Sequence, residues 1–298
     1  MAERRWRGEL RRDEPMAAHV SWRAGGRAAC AFFPRDMDDL ALFLKSLRHD
    51  EPLLFVGLGS NLLVRDGGFH GTVVFTHRAL DKMQLQDDGL LYVEAGVASP
   101  KLARFAAKQG LAGAEFLAGI PGSFGGALTM NAGCYGDETW PHVHRLLTLD
   151  RHGERRQRGV EDFAVGYRHV GLRSACDEWF AAAWLRFARG AGDAARARVG
   201  ALLEARSQSQ PLNLPNAGSV FRNPPGDHAA RLIEAAGLKG LQLGGARVSE
   251  KHANFIVNPD GTATATAIEM LIDHVRVSVR EKFGVQLQQE VRIVGVQA

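Results

Sequence analysis

The chain has 298 residues, 45% of them hydrophobic and 23% charged, so it has enough apolar side chains to bury a large core. No apolar run reaches the about 20 residues that a membrane-spanning helix needs. The charged segment 1–15 lacks the apolar middle of a signal peptide, so we expect a cytoplasmic protein. The net charge of +4 lies partly in that segment, without a nucleic-acid-binding motif, and therefore does not predict nucleic-acid binding.

Helix and strand patterns alternate through the first two thirds of the chain. A helix is predicted over 36–47, where leucine and phenylalanine recur at helical spacing behind Asp36. A second helix is predicted over 99–110, with Ser99 as its N-cap and Pro100 in its first position. The other predicted elements are two strands joined by a glycine-rich turn in 51–76, a strand in 90–96, a hairpin in 145–160, a strand in 178–189 and a helix near 193–206.

The composition changes at 207–219, and this loop predicts a domain boundary. A long helix is predicted over 265–284, with Thr266 and Glu269 as a capping box. A strand with one buried face is predicted over 285–296. Five aliphatic residues are expected on the buried face of the long helix: Ile268, Leu271, Ile272, Val275 and Val279. Because strands and helices mix without a strict βαβ rhythm, the sequence predicts the α+β class, with a small α/β subdomain at each end.

Two glycine-rich turns, 57–61 and 119–126, are candidate sites for a pyrophosphate. The first is not a Rossmann fingerprint, because Leu62 stands where the third glycine would be. Successive backbone N–H groups in such turns can still form an anion site, and the missing side chains allow close approach. Either segment alone could equally be only a tight turn.

Three cysteines, Cys30, Cys134 and Cys176, are far apart and form no CxxC pair, so the sequence predicts neither a disulfide framework nor a zinc site. The His142 and His144 pair lacks further ligands, and we expect no bound metal.

Seven motifs in series carry a resemblance to a known family. Read in chain order they are GLGSNLLVRDGGFHG, GIPGSFGGALTMNAGCYG, GYR, NAGSVFRNP, AGLKG, GGARVSEKHANFIVN and QEVRIVG. In this order and spacing, from about His19 to the last strand, the chain resembles the UDP-N-acetylenolpyruvoylglucosamine reductase family. It looks like the shorter subtype, because no long insertion follows the GYR motif.

The resemblance implies a fold and a reaction. The fold would be α+β, with a two-part FAD-binding region of the vanillyl-alcohol-oxidase-like (PCMH) type in 1–80 and 81–206, and a C-terminal substrate-binding α+β domain in 207–287. The last strand, in 288–298, would return to the second FAD-binding subdomain. NADPH would reduce FAD, and the reduced flavin would convert UDP-N-acetylglucosamine enolpyruvate to UDP-N-acetylmuramate in peptidoglycan synthesis. FAD would be bound non-covalently, and no nucleic acid or membrane would take part.

The resemblance also assigns roles to individual residues. It places at the FAD pyrophosphate Gly57, Gly59, Ser60 and Asn61, and around the rest of the flavin Gly122, Ser123, Gly125, Gly126 and Asn131. It makes Arg168, Ser219 and Glu290 catalytic, and Tyr167, Asn223 and His252 substrate contacts. Two departures from the family pattern are Val20-Ser21, where it has two threonines, and Val170, where it has a serine.

Each catalytic candidate has an ordinary structural alternative. A guanidinium suits bidentate binding of a carboxylate, but most arginines, Arg168 included, are by default solvated surface residues. Ser219 could be only a turn serine, and as a proton donor it would need assistance. Glu290 would orient Arg168 or polarise the substrate carboxyl, or else lie on the solvated face of the last strand.

Two other functions remain possible on sequence grounds. A related FAD oxidase acting on a sugar or alcohol would need no NADPH and would usually carry a covalent tether, of which no motif is recognisable in 57–71 or 119–136. A non-enzymatic basic binding module would be colourless when purified.

Overall fold

The computed structural model describes residues 6–174, 176–190 and 192–298. These residues pack as two units. The first unit comprises the described residues up to Arg11 together with Ala31–Leu58 and Thr72–Ala205, and the second comprises Arg12–Cys30, Gly59–Gly71 and Arg206–Ala298. Helices and strands are mixed in the chain, which confirms the predicted α+β class.

The strands of the described residues are β1 (Glu9–Pro15), β2 (Arg27–Phe33), β3 (Leu53–Val56), β4 (Leu62–Val64), β5 (Phe69–Phe75), β6 (Met83–Leu85), β7 (Leu91–Glu94), β8 (Leu111–Ala112), β9 (Gly133–Cys134), β10 (Asp137–Glu138), β11 (Val143–Asp150), β12 (Arg155–Arg158), β13 (Phe163–Gly166), β14 (His169–Leu172), β15 (Glu178–Leu185), β16 (Ala188–Arg189), β17 (Gln242–Leu243), β18 (Ala246–Val248), β19 (Ile256–Val257) and β20 (Arg292–Val294). The helices are α1 (Met37–Ser46), α2 (Ser99–Lys108), α3 (Phe124–Thr129), α4 (Gly192–Ser209), α5 (Ala229–Ala235) and α6 (Ala265–Phe283). In the part of the chain that the structure describes, no helix is both long enough and apolar enough to cross a membrane.

The strands form two larger sheets, a smaller one and several pairs. Their orders are β1-β2-β5-β3, β12-β11-β15-β7-β6 and β17-β18-β19, with the pairs β9–β10, β13–β14, β8–β16 and β4–β20. In the five-stranded sheet all neighbours are antiparallel. The hairpin predicted in 145–160 is confirmed by the antiparallel pair β11–β12.

The core of the first unit lies between this sheet and the helices α2 and α3. Val93 of β7 and Ala183 of β15 are fully buried together with Leu102 of α2 and Leu128 of α3. The predicted helix α1, which Asp36 caps by accepting a hydrogen bond from the Asp39 backbone, covers a second apolar cluster of the same unit.

The second unit is built around α6, whose five predicted core residues are all buried. Trp22 ties residues 12–30 into this core. Its side chain is fully buried, its Nε1 donates to the Ile256 carbonyl at 2.7 Å, and its own carbonyl accepts from Asn258 Nδ2 at 2.9 Å. The parallel pair β4–β20 brings Leu62–Val64 into the same unit.

Four sequence-based expectations were wrong in detail. Three strands, β3, β4 and β5, occupy 51–76 instead of two, because a second turn closes where the Gly68 backbone N–H donates to the Arg65 carbonyl. Ser99 is the first residue of α2 and not its N-cap, because its backbone N–H is bound to the Gly122 carbonyl and its side chain is buried.

The other two concern the C-terminal segment. Thr264, and not Thr266, caps α6, since Thr264 accepts the Ala267 N–H, while Glu269 pairs with Arg65. Regular strand structure at the chain end is limited to β20, which pairs with β4 and not with a strand from 81–206. Upstream of β20 the chain makes only an isolated bridge, from Gln289 to Phe221, so Glu290 does not lie on the face of a continuous strand.

Candidate active site

In the first unit, the first residue of one predicted glycine turn lies against the other turn. Gly57 follows β3, and a Cβ at this position would overlap the Ser123 hydroxyl. Only glycine fits this position without displacing Ser123, so the sequence choice at 57 follows from a contact with residues 122–126.

Ser123 begins the short helix α3 as its N-cap, with Oγ accepting from the Gly126 N–H at 3.4 Å. Gly125 packs on the preceding segment, where its N–H donates to the Ala95 carbonyl at 2.7 Å. A Cβ on Gly125 would lie 2.9 Å from the Ala95 Cβ. Beside this turn, the fully buried Ser99 Oγ has no hydrogen-bond partner among the described residues.

In the second unit, Gly59 and Asn61 form the turn between β3 and β4. Gly59 has φ +60, and its carbonyl accepts from the backbone and side chain of Ser21 at 3.1 and 3.3 Å. The two positions where the family has threonine are Val20 and Ser21 here. The one hydroxyl that remains, on Ser21, donates to the Gly59 carbonyl and so stabilises the turn. Asn61 Nδ2 donates to the Glu290 carbonyl at 3.3 Å, and the Asn61 carbonyl accepts from the Arg292 N–H at 3.0 Å.

The segment around Ser219 is hydrogen-bonded to Glu290 through the residue after Ser219, Val220. The Val220 carbonyl accepts the Glu290 N–H at 2.8 Å, and the Val220 N–H donates to the Asn254 carbonyl at 2.9 Å. Ser219 itself follows Gly218, which has φ +75. The structure thus brings together three predicted site residues from distant parts of the sequence: Asn61, Ser219 and Glu290.

The predicted substrate contacts of the second unit differ in exposure. Asn223 is exposed, and its Oδ1 accepts the Ala229 N–H at 3.1 Å at the start of α5. His252 packs edge-on against Phe255, and its buried Nδ1 has no partner within the described ranges. Burial lowers the pKa of His252, because it disfavours the charged imidazolium.

Arg168 occupies the two-residue turn between β13 and β14 with φ 53, in the left-handed region. Its guanidinium donates to the carbonyls of Asn131 at 3.2 Å and Gly133 at 3.0 Å. It also lies over the exposed Tyr167 ring, 4.9 Å from the centroid. Both hydrogen bonds go to backbone carbonyls and not to position 170, so the departure at Val170 leaves these two bonds in place.

The Asn131 side chain is committed to protein partners. Its Nδ2 donates to Glu138 Oε2 at 2.8 Å and to the Gly166 carbonyl at 3.3 Å, and its Oδ1 accepts the Trp140 N–H at 3.1 Å. Sequence reasoning missed Glu138, because its contacts with Asn131 and Arg168 form only in the folded chain. The only local signal was the Tyr135-Gly136 turn that makes β9 and β10 a hairpin. A pocket of about 390 Å³ opens beside this cluster, lined by Trp140, Tyr167 and others.

Within the described residues, no group of three or more His, Cys, Asp and Glu side chains could hold a metal ion.

Comparisons with known proteins give two family-model matches and several similar proteins. Residues 28–157 match the family model of an FAD binding domain, and residues 210–294 match that of the UDP-N-acetylenolpyruvoylglucosamine reductase C-terminal domain. The chain is 56% identical to UDP-N-acetylenolpyruvoylglucosamine reductase of Thiobacillus denitrificans, over 97% of this chain and 93% of the relative. It is 57% identical to the protein of that name from Alkalilimnicola ehrlichii, over 99% and 98%. The crystal structure of UDP-N-acetylenolpyruvylglucosamine reductase from Thermus caldophilus matches with a TM-score of 0.81 at 30% identity, covering 96% of this chain and 98% of that chain.

The residues present fit an FAD. The matched FAD-binding range contains Gly57, where a Cβ would overlap the Ser123 hydroxyl. It also contains, at the same turn, the buried hydroxyl of Ser99, which has no hydrogen-bond partner among the described residues. Such a hydroxyl costs free energy unless it meets a polar group, so a polar ligand at this turn would satisfy it.

Proposed function

The chain belongs to the UDP-N-acetylenolpyruvoylglucosamine reductase family, and from this premise we propose how its own residues carry the reaction. The resemblance inferred from the motifs is confirmed. The protein is an FAD-dependent oxidoreductase of peptidoglycan precursor synthesis, which uses NADPH to reduce UDP-N-acetylglucosamine enolpyruvate to UDP-N-acetylmuramate. When bound, FAD supplies the hydride, taken from NADPH, that reduces the enolpyruvyl double bond.

For the cofactor, we propose contacts from the two glycine turns. Gly57, Gly59, Ser60 and Asn61 approach the pyrophosphate through their backbone N–H groups, and the remaining contacts come from Gly122, Ser123, Gly125, Gly126 and Asn131. The overlap that a Cβ on Gly57 would make with Ser123 supports this. It means that position 57 carries no side chain, so its backbone N–H can come close to a pyrophosphate. The Asn131 side chain already has protein partners, so its part is to shape the site.

For the substrate carboxylate, we propose Arg168. Reduction of the double bond puts negative charge on the carbon beside the carboxylate, and this charge spreads into an enediolate. A fixed guanidinium stabilises that charge without reorganising during the reaction. The two carbonyls that hold Arg168 support this role, because they fix its orientation in advance. Tyr167, Asn223 and His252 contact the rest of the substrate in this proposal.

For the proton, we propose Ser219 as the donor to the substrate carbon, with Glu290 polarising the substrate carboxyl. The observation that carries this proposal is the hydrogen bond from the Glu290 N–H to the Val220 carbonyl, which holds Glu290 beside the Ser219 segment. The bond from Asn61 to the Glu290 carbonyl ties both to the cofactor turn.

We also propose, as a division by role, FAD-binding subdomains in 1–80 and 81–206 and a substrate-binding domain in 207–287. The cytoplasm is the proposed place of the reaction, where NADPH and nucleotide sugars are made.

The test is an anaerobic titration of the purified protein. NADPH should bleach the flavin absorption, and UDP-N-acetylglucosamine enolpyruvate should restore it, with UDP-N-acetylmuramate found by mass spectrometry. Restoration by oxygen but not by the enolpyruvyl substrate would contradict the assignment. Replacing Ser219 and Glu290 singly by Ala should slow restoration without preventing bleaching.

A further inference from the structure

Glu138 lies at the end of the β9–β10 hairpin and faces the Arg168 guanidinium. Its Oε1 lies 3.9 Å from Arg168 NH1, close enough for attraction between charges but too far for a hydrogen bond. Its Oε2 accepts the Asn131 Nδ2–H at 2.8 Å. One carboxylate therefore acts on Arg168 by its charge, and on Asn131 by a hydrogen bond.

Asn131 passes this restraint on to Arg168. The Asn131 carbonyl accepts from Arg168 NH1, and its Nδ2 also donates to the carbonyl of Gly166, the residue that precedes the Tyr167-Arg168 turn. Asn131 therefore contacts both the backbone just before the turn, at Gly166, and the guanidinium of Arg168 within the turn.

Both linked residues lie in the left-handed region of the backbone map. Asn131 has φ 40, which asparagine tolerates, whereas Arg168 has φ 53, where an arginine is disfavoured. Such conformations persist only where surrounding contacts over-determine them, and they cluster at functional sites. Glu138 supplies one of the contacts, since without it Asn131 loses its shortest side-chain hydrogen bond.

We propose that Glu138 is a positioning residue for Arg168: its carboxylate anchors Asn131 and balances the guanidinium charge, so that Arg168 is held in one orientation for the substrate carboxylate. This rests on the carboxylate-binding role proposed above for Arg168. Glu138 touches neither substrate nor cofactor in this scheme, and it acts only through Arg168 and Asn131.

The first experiment replaces Glu138 by Ala and measures both half-reactions separately. Flavin reoxidation by the enolpyruvyl substrate should slow about 10- to 100-fold, the scale of a small misplacement of a catalytic group. Flavin reduction by NADPH, which has no carboxylate to place on Arg168, should stay close to the wild-type rate. Glu138→Gln keeps an oxygen for Asn131 but loses the charge, so it should recover part of the loss.

A second readout does not depend on turnover. UDP-N-acetylmuramate carries a carboxylate and UDP-N-acetylglucosamine does not. Glu138→Ala should weaken binding of the former to the oxidised enzyme and leave binding of the latter unchanged. Asp137→Asn is the matched control: Asp137 lies on the same strand and pairs with His142, and asparagine keeps the side-chain oxygen that accepts the Glu138 N–H at 2.8 Å, so this variant should behave as wild type.

The double variant Glu138→Ala/Arg168→Lys distinguishes two roles of Glu138: positioning of Arg168, or structural support of the β9–β10 hairpin alone. If Glu138 works through Arg168, adding Glu138→Ala to Arg168→Lys should cost little more than Arg168→Lys alone. A full additional loss, or equal slowing of both half-reactions by Glu138→Gln, would overturn the positioning role. A wild-type rate for Arg168→Lys would instead overturn the proposed role of Arg168, and the positioning role with it.

Discussion

Arg168 has a backbone conformation that is unfavourable for arginine, and its side-chain contacts hold it there. The second position of the turn between β13 and β14 has φ 53, where glycine or asparagine would be less strained. Arginine occupies it with its guanidinium held by two carbonyls and the Tyr167 ring. A locally disfavoured residue that the surroundings hold in place indicates a functional position.

Arg168→Lys should therefore lower turnover far more than its retained charge suggests. An ammonium cannot reproduce two parallel hydrogen bonds to a carboxylate while keeping the two carbonyl contacts. We expect kcat for the enolpyruvyl substrate to fall at least about tenfold, the equivalent of about 1.4 kcal/mol in transition-state stabilisation. Steady-state kinetics measures this, with the exposed Arg173→Lys as control. Unchanged turnover would refute a bidentate role.

Ser219→Ala separates chemistry from folding. The change removes one hydroxyl from a loop, so the free energy of unfolding should fall by only about 1 kcal/mol or less. Bleaching by NADPH should keep near wild-type speed, while reoxidation by the substrate should slow roughly 10²–10⁴-fold, the usual contribution of general acid catalysis. Ser219→Cys should recover part of that loss.

Stopped-flow absorption resolves the two phases, and Ser209→Ala, on the exposed end of α4, is the control. Equal slowing of both phases would mean that Ser219 shapes the site, and slowing of neither would make it an ordinary turn serine.

At the scale of elements, the N-terminus of α6 is held by residues from far earlier in the chain. Asp66 accepts from the backbone N–H groups of Ala265 and Thr266 at 3.0 and 2.8 Å, and from the Thr266 hydroxyl at 2.6 Å. Arg65 donates to both carboxylate oxygens of Glu269, at 2.9 Å from Nε and 2.8 Å from NH2. The turn after β4 thus satisfies N–H groups that the helix itself leaves unpaired.

Asp66→Ala should lower the free energy of unfolding by about 1 kcal/mol, the usual worth of a helix cap. Burial alone would raise the pKa of Asp66, but hydrogen bonds from Thr266 and Ala265 outweigh it and lower the pKa below its ordinary value. A carboxylate whose pKa is lowered on folding stabilises the protein above its unfolded pKa. That contribution is lost as the pH falls through the folded pKa.

The difference in melting temperature between wild type and Asp66→Ala should therefore be largest near neutral pH and shrink in acid. Thermal unfolding over a pH series measures it. Asp273→Asn, an exposed change on α6 itself, should shift stability much less. A difference independent of pH would contradict a charge-dependent cap.

The helix ends show what local pattern can and cannot predict. The spacing of Ile268, Leu271 and Val275 was sufficient to predict α6 and its buried face, because burial depends on periodicity. The predicted capping box in its first turn was wrong, because Thr266 donates to Asp66 and Glu269 pairs with Arg65. These partners lie about 200 residues earlier in the chain, so no local sequence pattern predicts the contacts. The same holds for the candidate site: motifs predict a role for Arg168, whereas the contacts of Glu138 with Asn131 and Arg168 are made only in the folded chain.

At the scale of the whole molecule, the second unit is assembled from three separate stretches of sequence. Trp22 and Leu63, both fully buried, complete the core that surrounds α6. A fragment of residues 206–298 lacks both side chains, so we expect it to be unfolded. Circular dichroism spectroscopy measures this. Adding residues 12–30 and 59–71 through designed linkers should restore a cooperative transition, and a folded 206–298 fragment would contradict this dependence.

The last prediction concerns how the molecule holds its flavin. The glycine turns supply backbone N–H groups, and the sequence shows no tether motif in 57–71 or 119–136, so FAD should be bound non-covalently. Acid precipitation should leave the yellow chromophore in the supernatant. Since free FAD binds only the folded protein, the melting temperature of the apoprotein should rise with added FAD, by the equivalent of about 2.7 kcal/mol at a hundredfold excess over Kd.

Gly57→Ala should weaken this response, because the new Cβ overlaps Ser123. The additional change Ser123→Gly should restore part of it. Gly200→Ala is the matched control: Gly200 lies within α4 with nothing within 4 Å of its Cβ position, so alanine should be neutral or stabilising there. Flavin that stays with the acid pellet would overturn non-covalent binding. A full FAD response in Gly57→Ala would show that the turn at Gly57 is only a turn.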